Sequence, residues 1–154
     1  MTTLLVLIFG FFLFEAVVFA SHRLMHARWT GPLWRSHQTH HQLYNPRHPE
    51  TMKFQPVGWR SFRFRAIIFV IAVSLIFTLF PLALAIPLFV EMAILSAITD
   101  YLHDATHTME HPLERYRWYR ILKRKHWTHH ANTKRNFGIM TFIFDRIART
   151  HQKG

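Results

Sequence analysis

The chain has 154 residues, half of them apolar, and a formal net charge of +11 with no cysteine. That length suits one domain, and the missing cysteines exclude disulfides and thiolate ligands. All 19 Lys and Arg fall in two stretches, Arg23 to Arg65 and Arg115 to Lys153, on either side of a long apolar run. A soluble nucleic-acid binder does not segregate its apolar residues in this way. The charge reads as positive-inside bias, with no nucleic acid as partner.

Residues 2 to 21 form one apolar run with a single acid, Glu15, long enough to span a membrane. No charged stretch precedes it and no small-x-small site closes it, which disfavours a signal peptide. Gly31-Pro32 breaks the chain after this span, and a short helix is predicted from Leu33 to near Asn45-Pro46. The second apolar run, Ala66 to Thr99, is too long for one ordinary span and slightly short for two. Pro81 and Pro87 place a helical hairpin turn within 80 to 87; the hairpin either stops short of the far head groups or is extended by snorkelling of Arg63 and Arg65. His111-Pro112 ends the third membrane helix, and Pro112 begins a helix running to about Ala131. Gly138 marks a further turn, and the last residues, THQKG, are expected to fray. The expected fold class is all-α and integral to the membrane, with about three membrane helices: one span plus a hairpin.

A hairpin returns to the side it left, so the segments before and after it share one face. That face carries every Lys, Arg and His, and the positive-inside rule makes it cytosolic. A bacterial inner membrane is favoured over the endoplasmic reticulum. The region beneath the bilayer contains four histidine groups: His22 and His26 in HRLMH, His37, His40 and His41 in HQTHH, His103 and His107 in HDATH, and His126, His129 and His130 in HWTHH. Residues at i, i+3 and i+4 share a helix face, so each group is expected to aim its rings one way. Neutral imidazole is a nitrogen ligand for Zn, Fe, Cu and Ni. Ten such ligands suffice for two ions with open positions. No Glu-x-x-His pair accompanies them, so a nitrogen-rich dinuclear centre is expected, not a carboxylate-bridged one. His48, His111 and His151 read as ordinary polar residues.

The order HxxxH, HxxHH, HxxxH, HxxHH resembles the fatty acid hydroxylase and sterol desaturase superfamily of integral-membrane di-iron enzymes. The resemblance covers roughly 20 to 148. Leu33-Trp34 precedes His37, Asp100 stands three residues before His103, and KRKHWTHH is followed by NFG and FDRI. HPETMKFQP after the second group is similar to a segment of fatty acid 2-hydroxylases. Phe144 stands where the family usually has Trp, and ART where it continues Phe-Gly-Thr. The resemblance implies two iron ions, dioxygen and a separate electron donor, cytochrome b5-like or ferredoxin-like. It implies a lipid substrate, most simply a fatty acyl chain, within a single domain over 1–154. A sterol or carotenoid hydroxylase or desaturase is the alternative within the superfamily, and a non-enzymatic membrane metal-binding protein the alternative outside it.

Asp100 is the candidate catalytic carboxylate on the strength of that resemblance, and Asp104 could orient a ring nitrogen from beside His103. Glu15 and Glu91 are ionisable groups at membrane depth, hence functional candidates; Glu15 could relay protons or pair with an arginine. The run Arg115 to Lys125 faces anionic lipid head groups in preference to an acidic electron donor. Trp29, Trp34 and Trp59 read as interface anchors.

Overall fold

A computed structural model of the chain describes residues 2–46, 59–108 and 110–153; for 2, 3 and 59–65 it describes the backbone alone. His48, the HPETMKFQP stretch and the side chains of Trp59, Arg63 and Arg65 lie outside that description. Among the described residues there are six α-helices and no strand: α1 (Thr2–Met25), α2 (Pro32–Leu43), α3 (Trp59–Leu79), α4 (Leu82–Thr106), α5 (Arg117–Ala131) and α6 (Ile143–Ile147). The chain is therefore all-α.

Two helices are long and apolar enough to cross a membrane, over Leu4–Met25 and Leu82–Thr106, with a shorter apolar stretch at Ala66–Leu79. At 22 and 25 residues, the two longer stretches reach about 33 and 37 Å, against a hydrocarbon core of about 30 Å. Their outer faces leave Leu4, Leu5, Ile8, Ile86, Val90 and Ile94 exposed. A helix that is apolar all round needs an apolar solvent on the side where it has no protein neighbour.

The hairpin turn falls at Phe80–Pro81. Pro81 caps α4, and its carbonyl accepts from Leu84 and Ala85 N–H. Pro87 sits inside α4 and does not interrupt it. α1 and α4 run in the same direction, with Phe9 near Phe80 at one end and histidines at the other. Phe14, Ile76, Ala85, Leu88 and Met92 form the core between α1, α3 and α4. Glu91 Oε2 lies so close to Gly10 that a Cβ there would meet it at 2.0 Å, so glycine permits this approach of α1 and α4.

Beneath the bundle, a second core of Leu102, Ala105, Tyr119 and Leu122 seats α5 against the end of α4. Pro112 begins a 3-10 turn, Pro112–Arg115, and not α5 itself, which starts only at Arg117. The His111 ring caps that turn, its Nδ1 accepting from Leu113 N–H at 3.2 Å. The C-terminal segment is tied down as far as Gln152. Gln152 N–H donates to the Asn136 side chain at 2.8 Å, and His151 N–H to the Asp145 carbonyl at 3.0 Å. Among the described residues, no arginine pairs with Glu15. Its carboxylate accepts from the Thr141 backbone N–H and hydroxyl, pinning the C-terminal segment to α1.

Candidate metal centre

α1, α2, α4 and α5 each end in histidines: His22 in α1, His40 and His41 in α2, His103 in α4, and His129 and His130 in α5 lie in last turns. His26 and His107 follow just beyond α1 and α4. Helix C-termini carry partial negative charge, so four of them approaching one volume favour a cation there.

The ten imidazoles come together in that volume. One ligand atom from each of His22, His26, His37, His41 and His129 lies within 4.8 Å of all the others, and His40, His103, His107 and His126 form a second such group. His130 falls in neither group. Its ring stacks on His41 at 4.1 Å and lies 4.7 Å from His126, 4.8 Å from His107 and 5.0 Å from His40. Both its ring nitrogens are buried without a hydrogen-bond partner among the described residues.

The HxxHH triplets do not each aim one way. His37 and His41 belong to the first group and His40 to the second; His129 belongs to the first and His126 to the second. Helical residues one apart diverge by about 100° and residues three apart by about 60°, so a helix lying between two centres can serve both. α2 and α5 occupy that place. α1 contributes only to the first group and α4 only to the second.

Hydrogen bonding between rings does not account for the packing. His26 Nε2 stands 2.9 Å from His37 Nε2 and 3.0 Å from His129 Nε2, while His37 Nε2 is also 3.1 Å from His41 Nε2. A ring nitrogen carries either one proton or one lone pair, so it cannot serve two such bonds at once. A shared Lewis acid removes the conflict. Nitrogens about 2.1 Å from an ion and at right angles to each other are roughly 3.0 Å apart. In the second group His107 Nε2 and His126 Nε2 are likewise 3.0 Å apart.

Two first-group rings have their tautomer set by backbone. His22 Nδ1–H donates to the Phe137 carbonyl and His129 Nδ1–H to the Arg135 carbonyl, both at 2.7 Å. A carbonyl only accepts, so the proton sits on Nδ1 and the Nε2 lone pair faces the centre. In the second group Asp104 Oδ1 lies 3.5 Å from His103 Nδ1, and the Tyr44 ring stacks on His107 at 4.0 Å. Burial lowers the basicity of His37, His107, His126, His129 and His130 well below the usual imidazole value, with repulsion from neighbouring rings adding to it. Burial likewise pushes His26 down to about 3. These rings are neutral at ordinary pH, which is the form that binds metal.

Asp100 lies half-buried on α4 and is in neither group; His111 and His151 also stand apart. The sequence reading gave no role to Tyr44, Phe137 or Asp145. For Phe137 and Asp145 the signal lay in NFG and FDRI. Asp145 is a lone acid in an apolar stretch, and it is fully buried.

Apolar helices ending in two all-imidazole groups define a histidine-rich helical protein of membrane type. The fatty acid hydroxylase family model matches residues 7–150, nearly the whole chain, and the chain belongs to that family. No curated protein and no solved structure matches it. Family membership and the histidine groups together point to a membrane hydroxylase or desaturase, with a lipid substrate and a metal cofactor.

Proposed function

We propose that the protein is a di-iron oxygenase that uses dioxygen and external electrons to hydroxylate a C–H bond of a lipid, most simply a fatty acyl chain. The observation that supports this reading is the double engagement of His26 Nε2 and His37 Nε2, which a shared cation would resolve. His22, His26, His37, His41 and His129 hold one ion. His40, His103, His107 and His126 hold the other, with His130 as a further donor on that side. When bound, the irons supply dioxygen activation at positions the histidines leave open.

The chain's own part is to orient and to exclude. The Phe137 and Arg135 carbonyls fix the His22 and His129 rings. Buried packing keeps the imidazoles neutral and water away from the reacting carbon. Each hydroxylation takes up one dioxygen, two electrons and two protons and releases one water, so a reductant is required. The basic run expected to face lipid head groups also lines a groove of about 500 Å³, with Glu114, Arg117, Arg120, Lys123, Arg124 and Trp127, which suits an acidic donor protein as well. The Trp127 ring lies 5.7 Å from His107 and 5.5 Å from His130, between that groove and the centre. The acyl chain enters along α1, α3 and α4 with its head group at the polar region, which we place in the cytosol beneath a bacterial inner membrane. Asp100 remains a candidate for proton delivery from α4.

The test is purified protein in detergent, loaded with ferrous iron and supplied with reductant and acyl lipids. Two irons per chain, no Soret band and a dioxygen-dependent hydroxylated lipid are expected. Metal that exchanges freely with no oxidised lipid product would replace the enzyme reading with a metal carrier.

A further inference from the structure

We infer that Asp145 is a positioning residue that sets a backbone clamp on the first histidine group only, making the two metal positions unequal in affinity. The inference rests on the proposed metal centre. It starts from the loop Arg135–Gly138, whose two carbonyls reach His129 and His22, ligand candidates from two different helices.

The Phe137 carbonyl and the Gly138 N–H belong to one rigid trans peptide plane and point in opposite directions. Asp145 Oδ2 accepts the Gly138 N–H at 2.7 Å. Fixing that end of the plane fixes the carbonyl that receives His22. A carboxylate at the N–H end also polarises the carbonyl at the other, which strengthens its hold on the imidazole proton and raises the ring's basicity as a ligand. Asp145 Oδ1 secures the preceding plane by accepting Phe137 N–H at 2.8 Å, and it accepts the Thr150 hydroxyl at 2.7 Å.

Neighbouring residues crowd and tether the loop. A Cβ on Gly138 would stand 2.0 Å from the Thr141 carbonyl oxygen and 3.0 Å from Asp145 Oδ2. Asn136 is fully buried with φ of 53°, and its side chain donates to the Lys125 and Gln152 carbonyls. The second group is held differently. His107 Nδ1 and His126 Nδ1 are buried with no hydrogen-bond partner among the described residues.

The experiment is metal titration of the full chain in detergent with ferrous iron and, separately, cobalt(II), read by elemental analysis and chelator competition. The native chain takes two ions. Asp145→Asn turns one acceptor oxygen into a donor facing an N–H. It weakens one ion by about 10- to 100-fold and leaves the other at native affinity. Adding His103→Ala to Asp145→Asn removes the remaining ion, whereas adding His22→Ala does not. Thr150→Val, a milder change, weakens the same single ion several-fold. Native affinities at both positions in Asp145→Asn and Thr150→Val, or equal weakening of both, overturn the assignment. A native chain that binds neither ion overturns the proposed function and the clamp with it.

Discussion

The five-histidine and four-histidine groups are made of one side chain held in two ways. In the first, backbone carbonyls from a loop remote in sequence receive the outer ring nitrogens of His22 and His129. In the second, the rings meet side chains: Tyr44 stacks on His107, and the Asp104 carboxylate lies near His103. A carbonyl only accepts, so it fixes a tautomer outright. Stacking fixes the plane of a ring and leaves its proton undecided. Like ligand sets can therefore differ in rigidity through what lies behind them.

The largest effect that breaks this comparison comes from the ligand candidates. His129→Ala and His126→Ala each remove one ring, from the first and second group respectively. Both are expected to lower product formation by more than about 100-fold, beyond the range for residues that only orient ligands. Lipid analysis of cells expressing inserted protein checks it. Full activity in both variants would remove the basis for a dinuclear site.

An intermediate effect follows from burial, which lowers ring basicity in both groups. The folded metal-free chain binds fewer protons than the unfolded chain once pH falls below about 6.5. Stability is therefore complete above that pH and falls as pH drops toward the folded values, near 3 for His26. The slope is up to about 1.4 kcal/mol per pH unit for each excluded ring. Thermal unfolding in detergent at pH 7.5 and 5 measures it. Metal release should fall in this window, with the clamped first group holding its ion to lower pH than the second; coincident release from both would count against the clamp.

The smallest effect concerns a histidine outside both groups. His111→Ala removes the cap on Pro112–Arg115 and is expected to cost about 1 kcal/mol in stability. Both ions stay bound, as metal analysis of the variant would show.

Much of this was legible in one dimension because the signals are local. Apolar run lengths gave α1 and α4, and spacing marked the ten histidines as candidates before any were placed. Local signals also misled. Pro87 suggested a break, but α4 runs through it. Pro112 suggested a helix start, but it opens a 3-10 turn. Glu15 suggested a proton relay or an arginine partner; that its carboxylate accepts from Thr141 needed a contact across 126 positions.

The sequence by itself determined the chemistry: neutral nitrogen donors, no thiolate, and apolar helices to carry them. Periodicity fixes which residues share a helix, and composition fixes what they can bind. Only the tertiary structure decided that His40 and His41 in α2, and His126 and His129 in α5, part company, and that Asp145 stands behind Gly138 and Phe137. Those facts depend on where helices lie relative to one another and on the direction of individual peptide planes, which residue spacing along a chain does not encode.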